Sequence, residues 1–116
     1  MIDREFFLGF IKIHILYHAS KEPISGVELS KELGRHGYIL GPGTLYPTLH
    51  RLEKDGYLTQ ETRVVSGRMR KYYTATEEGM KVLDETRNKI KELIGEVLFK
   101  NPIKTRQTRL KTGGSR

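Results

Sequence analysis

A short amphipathic helix that leads directly into a hairpin is the feature that most constrains this chain. Leu45, Leu49 and Leu52 share one face of a helix when successive residues turn by about 100°. Pro42 occupies a favoured first helical position, and Gly56 is a typical residue for a helix end. We therefore predict a helix that begins near Pro42 and ends just before Gly56.

The hairpin is predicted from the next twenty residues. Residues 57–65 and 69–75 are rich in Tyr, Thr and Val, which favour strands. Ser66-Gly67 lies between these runs and is typical of a tight turn. Basic side chains follow the turn directly, at Arg68, Arg70 and Lys71.

Two further helices are predicted upstream. Residues 3–19 carry apolar side chains at helical spacing, and residues 26–36 form the second helix. Ser25 and Glu28 are spaced as a capping box at the start of that second helix. The fold class expected is therefore mainly α with a small β-hairpin, arranged as a winged helix-turn-helix.

The first helix has two neighbouring apolar stripes, whereas a surface helix of a small monomer needs only one. One stripe is Phe6, Phe10, Ile13 and Tyr17, and the other is Phe7, Ile11 and Ile15. Either the helix is buried at the centre of the domain, or the second stripe packs against another subunit. We favour the subunit contact.

A long last helix is expected to serve dimerisation. Thr76 is placed to cap it, and it should end near Phe99. Met80, Leu83, Ile90, Ile94 and Val97 follow a heptad-like spacing, broken at Arg87. A helix of ~24 residues would measure ~36 Å and overhang a three-helix core, which favours a partner helix. The predicted dimer interface comprises Phe6, Phe7, Phe10, Ile11, Leu83, Ile90, Ile94 and Val97.

Charge is unevenly distributed along the chain. All 14 acidic residues lie in residues 1–99, whereas six of the 21 basic residues lie in residues 100–116. Residues 1–99 therefore carry only one net positive charge, and the net charge of +7 belongs mainly to the tail. We predict a DNA-binding domain at 1–76, a dimerisation helix at 77–99 and a flexible basic tail at 100–116.

Composition also limits the classes of protein. The chain has no cysteine, which excludes disulfides and thiolate metal sites. No apolar run approaches the ~20 residues of a membrane helix, and the first residues do not resemble a signal peptide. We therefore expect a cytoplasmic protein without a membrane partner.

The helix and hairpin together predict a surface that reads DNA. Side chains for base edges in the major groove are Thr44, Thr48 and Arg51, with Pro47 against a thymine methyl group. Side chains for the phosphate backbone are Tyr46, His50 and Lys54. The wing would contribute three basic side chains that contact the neighbouring groove, namely Arg68, Arg70 and Lys71. Each basic residue taken alone is better explained as part of a solvated surface, and only their combination, in the order helix–turn–helix–hairpin, favours DNA.

Several segments resemble the PadR family of bacterial and archaeal transcriptional regulators. Residues 43–58 read GTLYPTLHRLEKDGYL and are similar to that family's recognition helix. Gly67-Arg68, Lys71-Tyr72-Tyr73 and Thr76-Glu77-Glu78-Gly79 resemble its wing and the start of its last helix. The resemblance covers about residues 8–99.

The resemblance implies a homodimeric repressor that occupies promoter DNA and dimerises through its first and last helices. Its partners would be an inverted-repeat operator, a second copy of the chain and an unidentified small-molecule effector. The tryptophan that lines a ligand pocket in some relatives is missing here, since the chain contains no Trp. The effector therefore does not follow from the resemblance.

The sequence gives little support for a metal site or a catalytic site. His14 and His18 are four residues apart, but no third metal ligand accompanies them on that helix, so we interpret them as structural or surface histidines. No nucleophile–base pair or carboxylate pair stands out. We predict no metal, no cofactor and no enzyme activity.

Two other functions remain open at the level of the sequence. One is a winged-helix module that binds proteins, in which Arg51 and Arg68 would be dispensable. The other is an RNA-binding or ribosome-associated basic protein, in which the tail would dominate binding.

Overall fold

The computed structural model describes residues 3–99, and the predicted tail at 100–116 lies outside this range. The elements run in the order α1 (Arg4–Lys21), β1 (Ile24–Ser25), α2 (Gly26–Arg35), α3 (Pro42–Lys54), β2 (Leu58–Val65), β3 (Arg68–Ala75) and α4 (Glu77–Val97). The expectation of a mainly helical fold with a small antiparallel sheet is confirmed.

Local capping residues set the ends of the helices. Asp3 caps α1 by accepting a hydrogen bond from the Phe6 amide at 3.1 Å. Ser25 and Glu28 form the predicted capping box at α2, with both reciprocal hydrogen bonds present. The hydroxyl of Thr76 accepts a bond from the Gly79 amide at 3.0 Å, at the start of α4.

The hairpin of β2 and β3 has a two-residue turn. Val65 pairs with Arg68, so Ser66 and Gly67 alone connect the strands. Both have positive φ angles, 54° and 76°, which is the type I′ geometry that matches the twist of the strands. Gly67 adopts this angle without a steric cost.

The sheet has a third strand that the sequence pattern did not predict. β1 pairs antiparallel with β3, with Ile24 opposite Tyr73, and the strand order is β1-β3-β2. A strand of two residues is too short for a periodic pattern, so only the pairing with β3 identifies it. It fixes the start of α2 against the middle of the wing strand.

The core lies between the three N-terminal helices and one face of the sheet. Its buried apolar residues include Ile11, Ile15, Leu29, Leu33, Leu45, Leu49, Leu52, Leu58, Tyr73 and Leu83. The leucine face predicted for α3 is buried as expected. Burial raises the pKa of the Tyr73 hydroxyl, and the nearby Glu53 and Tyr46 add to this shift.

The packing of α1 corrects one expectation. Ile11 and Ile15 are fully buried inside the protomer, so the second stripe forms the core and does not offer a subunit contact. Phe7, in the same stripe, is half-buried and lies edge-on to Tyr38 with ring centroids 5.0 Å apart. The first stripe is the exposed one, with Phe6 67% and Phe10 48% exposed.

The chain divides into two compact units, Met1–Asp84 and Glu85–Arg116. The first unit contains the core and the beginning of α4. Leu83 is buried in that core, so we also withdraw it from the predicted dimer interface. Its side chain stabilises the fold of one protomer.

The described part of the second unit is the remainder of α4 and the residues up to Phe99. Its apolar side chains are mostly exposed, at Leu93, Ile94, Val97, Leu98 and Phe99, while Ile90 is half-buried. Within residues 3–99, no helix is both long enough and apolar enough to cross a membrane.

Candidate nucleic-acid interface

The outer face of α3 presents most of the side chains predicted to bind DNA. Tyr46, Pro47, His50, Arg51 and Lys54 are exposed. They lie opposite the buried leucines because the helix turns by about 100° per residue. The helix continues through Pro47, although this residue supplies no amide for the bond to the carbonyl four positions earlier.

The two threonines of α3 do not belong to this face. Thr48 is only 7% exposed, and its hydroxyl donates a hydrogen bond to the carbonyl of Thr44 at 2.7 Å. The prediction that Thr48 reaches a base edge is therefore wrong, because its donor is used inside the helix. Thr44 is half-buried on the flank.

Tyr46 connects α3 with the start of α2. Its ring lies over Gly26, so close that a Cβ on Gly26 would be 2.7 Å from the tyrosine hydroxyl oxygen. Gly26 is held by the pairing of the preceding residue, Ser25, with the wing strand. The helices α2 and α3 and the strand β3 of the wing thus meet at this point.

A groove of about 520 Å³ opens at this meeting point. Ten residues line it: Ser25, Gly26, Val27, Tyr46, His50, Arg68, Met69, Arg70, Lys71 and Tyr73. Three of the ten are Arg or Lys and none is Asp or Glu, so the lining is positively charged. A groove of this kind fits an anionic chain such as a phosphodiester backbone.

The wing divides its bases between its two faces. Arg68 and Arg70 share one face because alternate residues of a strand point the same way. Lys71 lies on the other face, which further along the strand carries the buried Tyr73. The sequence grouped all three bases as one cluster, whereas the strand presents them in two directions.

Arg63 is a basic wing residue that the sequence prediction omitted. It pairs across the hairpin with Arg70, on the same face. Its guanidinium lies 4.7 Å from the centroid of the Tyr72 ring and donates a hydrogen bond to Glu61. These contacts fix Arg63 within the wing and partly neutralise it.

The predicted DNA-binding bases are not neutralised within the described chain. The ion pairs among residues 3–99 include those of Arg35 with Glu32, Arg63 with Glu61 and Lys81 with Glu78. None of them involves Arg51, Lys54 or Arg68. The charges on α3 and at the wing turn are therefore available for a ligand.

Comparison with known proteins identifies the family. The model of the transcriptional regulator PadR-like family matches residues 15–85. The chain belongs to the PadR-like family.

Similar proteins include a curated relative and two solved structures. Transcriptional regulator Rv3488 of Mycobacterium tuberculosis is 53% identical over 95 residues, which cover 82% of this chain and 89% of the relative. A PadR-like transcription factor from Bacteroides fragilis has a TM-score of 0.70 at 33% identity, covering 77% of this chain and 87% of that one. Bacillus subtilis PadR, in complex with operator DNA, is 24% identical with a TM-score of 0.59, covering 66% and 46%.

The PadR-like family comprises transcriptional regulators, so this chain is a regulator and not an enzyme. The solved relatives share its winged helix-turn-helix fold, which confirms the resemblance drawn from residues 43–58 and from the wing. The family match covers α2, α3 and the hairpin, and thus all the elements that form the groove.

The structure of this PadR-like chain also brings together residues that the sequence kept apart. His36, at the end of α2, lies beside His14 and His18 of α1, with one ring nitrogen of each within 4.8 Å of the others. No metal site was predicted because a third ligand was expected only on the same helix as His14 and His18. The sequence did contain a signal for the cluster, namely a third histidine, His36, at the predicted end of the next helix.

Proposed function

We propose that this PadR-like chain is a homodimeric repressor that binds a specific operator. The basic groove between α3 and the wing carries this proposal. Tyr46 and His50 of α3 line it together with Arg68, Arg70 and Lys71 of the wing. Arg51 and Lys54 lie outside the groove and are exposed on the same helix. This is the combination with which a helix enters a major groove and a wing contacts the adjoining backbone.

Different side chains would supply specificity and affinity. Arg51 is long, exposed and outside every ion pair of the described residues, so we assign it to a base edge, where guanidinium binds guanine in two places. Pro47 offers an apolar contact to a thymine methyl group. Tyr46, His50, Lys54 and the wing bases would hold the phosphates, and Thr44 would assist from the flank.

The relatives support this assignment at the level of the fold. Bacillus subtilis PadR was solved in complex with operator DNA. Its likeness to this chain extends to the fold, and the choice of residues here comes from their exposure and charge in this chain. Operator binding by a cytoplasmic regulator is the function that the exposure and charge of these residues support best.

A homodimer would place two α3 helices on one duplex. We propose two surfaces for this contact: the exposed Phe6 and Phe10 of α1, and the exposed Ile94 and Val97 of α4 with the half-buried Ile90. Two-fold symmetry predicts an inverted-repeat operator with half-sites about 10 bp apart, or a multiple of that spacing. Repression would follow because the bound dimer obstructs polymerase.

The direct test is binding to DNA from upstream of the chain's own gene. Fluorescence anisotropy with a labelled duplex, repeated with a scrambled duplex of equal composition, should show a preference for the native sequence. The logarithm of the binding constant should fall linearly with the logarithm of salt concentration. Equal affinity for both duplexes at every salt concentration would reject the proposal.

A truncated chain of residues 1–99 separates the repressor from an RNA-binding protein. The truncation removes six basic residues but leaves α3 and the wing intact. The repressor requires that sequence preference survives the truncation. Loss of all nucleic-acid affinity would instead favour binding through the tail.

A further inference from the structure

Three of the four histidines of the chain meet where the end of α2 approaches α1. His14 and His18 are one turn apart on α1, and His36 is the C-cap residue of α2. One ring nitrogen from each lies within 4.8 Å of the other two. We propose that these three imidazoles bind one divalent transition-metal ion, with Zn2+ as the first candidate.

The geometry requires only small side-chain movements. Zinc–nitrogen bonds of ~2.0–2.1 Å at a tetrahedral centre place ligand nitrogens roughly 3.3 Å apart. The three nitrogens are already within 4.8 Å, and the imidazole ring rotates in a broad torsional well. Two histidines spaced four residues apart on a helix are a common way to present two ligands to one zinc ion.

The surroundings of the rings are suited to metal binding. Nε2 of His18 is buried and has no hydrogen-bond partner among residues 3–99, which is unusual for a buried polar atom. The rings of His14 and His36 are stacked with centroids 4.7 Å apart. A metal ion bound at this nitrogen would provide the partner that Nε2 lacks.

Titration of the pair favours the form that binds metal. Burial lowers the pKa of His14, with further lowering by His36 and His18. Burial also lowers the pKa of His18, and His36 adds to this effect. Burial of both rings therefore favours the neutral imidazole, which is the form that binds a metal ion.

Charged groups near His18 have opposing effects on a cation bound beside it. The Glu32 carboxylate favours a cation at this place, whereas Arg35 and Lys21 oppose one. Glu32 accepts two hydrogen bonds from Arg35, so part of its charge is already compensated. Glu32 does not belong to the group of close ligand atoms, so we leave the fourth coordination position to water.

The donor set defines the class of metal. Three imidazole nitrogens suit Zn2+, Ni2+ and Cu2+, whereas Mg2+ and Ca2+ prefer oxygen ligands. The ligands come from α1 and from the end of α2, and none of them lines the basic groove. A bound ion would therefore link these two helices independently of DNA.

The first test uses the unmodified chain without an affinity tag, since a tag would bind metal itself. After treatment with EDTA, Zn2+ is titrated while the histidine ring-proton NMR signals are recorded. The signals of His14, His18 and His36 should shift together and saturate at one ion per chain, whereas that of His50 should stay in place. Mg2+ should leave all four signals unchanged.

The second test measures affinity by calorimetry in single variants. H14Q, H18Q and H36Q should each weaken Zn2+ binding by at least about 100-fold, since even outer-shell changes cost roughly 10–100-fold. H50Q is the matched control and should bind Zn2+ as the parent does, because His50 lies on α3 outside the cluster. Circular dichroism of each variant verifies that it is folded.

Either test can overturn the site. A titration in which no histidine signal shifts, or in which His50 shifts with the others, rejects it without any variant. Full Zn2+ affinity in a folded H36Q would show that the three rings are stacked by packing alone. Zn2+ should also raise the melting temperature of the parent and not that of H36Q.

Discussion

Two glycines allow closer contacts than any other residue would. Gly26 lies under the ring of Tyr46, and Gly79 lies against the carbonyl of Tyr57. The tyrosine ring belongs to a side chain and can move, whereas the Tyr57 carbonyl belongs to the backbone and accepts a hydrogen bond from the amide of Thr76. Gly79 is therefore the less tolerant of the two positions.

We expect Gly79→Ala to destabilise the protein. A Cβ on Gly79 would overlap the Tyr57 carbonyl oxygen, so the start of α4 would have to move away from the segment that connects α3 to β2. The free energy of unfolding should fall by about 1–3 kcal/mol, the typical cost of overpacking. Urea denaturation followed by circular dichroism measures it.

Gly34→Ala is the matched control for this substitution. Gly34 also lies in a helix, but a Cβ added there would have no neighbouring atom within 4 Å. Alanine at this position should raise the free energy of unfolding by roughly 0.5–1 kcal/mol, because it restricts the unfolded chain. Equal effects of the two substitutions would contradict the close contact at Gly79.

Arg51 and Arg68 should differ in how they affect DNA binding. Arg51→Ala should reduce discrimination between the operator and a scrambled duplex by about 1–3 kcal/mol, because it removes a base contact. Arg68→Ala should weaken binding to both duplexes alike and reduce the salt slope by about 1, because it removes a phosphate contact. Anisotropy titrations at several salt concentrations distinguish these outcomes.

Lys31→Ala is the control for both arginine variants. Lys31 is an exposed base on α2 and does not line the groove. Its replacement removes one positive charge without altering the proposed interface, so affinity should change little. A loss of DNA affinity as large as that of Arg68→Ala would show that affinity depends on the total charge of the chain and not on the residues of the groove.

At the scale of an element, α3 has an apolar inner face that packs in the core and an outer face that contains a proline, which lowers the stability of the helix. Pro47 lies in the middle of the helix on the exposed side, where it supplies no amide hydrogen bond. Nothing in the core requires it, since the buried apolar positions are Leu45, Leu49 and Leu52. The exposed ring of Pro47 is therefore free for the contact with DNA that we propose.

Pro47→Ala should therefore raise stability and lower operator affinity. Alanine is ~3 kcal/mol more favourable than proline inside a helix, and the unfolded chain gains up to ~1 kcal/mol of entropy, so a net gain of ~2 kcal/mol is expected. Thermal unfolding and operator titration measure the two effects. Lower stability would show that the ring packs within the protomer.

Pro42→Ala provides the comparison within the same helix. Pro42 occupies the first helical position, where its missing amide has no partner within the helix. The free energy of unfolding should change by less than about 1 kcal/mol. The contrast between the two prolines isolates the effect of position.

At the scale of the whole molecule, the proposed dimer depends on apolar surface that a protomer leaves uncovered. Phe6 and Phe10 on α1, and Ile94 and Val97 on α4, are exposed in their respective units. Burial of such side chains against a second copy would remove them from water and favour association. The chain should therefore sediment as a dimer.

Phe10→Asp and Ile94→Asp should each shift the chain towards monomer. A carboxylate at an apolar contact would have to be desolvated without a partner. Ile39→Asp is the control, because Ile39 is 89% exposed and lies on neither proposed surface. Analytical ultracentrifugation gives the three association constants, and a monomeric parent chain would refute the dimer.

The parts of the fold that follow from short-range signals were predictable. The capping box at Ser25, the turn at Ser66-Gly67 and the leucine face of α3 depend on residues a few positions apart, and all three are present. The exposed face of α3 followed from the same periodicity. These signals depend on backbone geometry and hydrogen bonding within one element.

Features that depend on distant parts of the chain were not predictable. The sequence showed two apolar stripes on α1, but only the packing of α2 and β3 against that helix determined that Ile11 and Ile15 face inward. The pairing of β1 with β3 needed a strand almost fifty residues away. Thr48 turned inward because α3 was oriented by its leucines.

The amino-acid sequence by itself determined the order of the four helices and the hairpin, the family and the face of α3 that meets solvent. The tertiary structure alone decided which stripe of α1 is core, that β1 joins the sheet and that His36 joins His14 and His18. The physical reason is that caps, turns and periodicity arise from neighbouring residues. Burial and ligand geometry arise from the summed packing of elements that are remote along the chain.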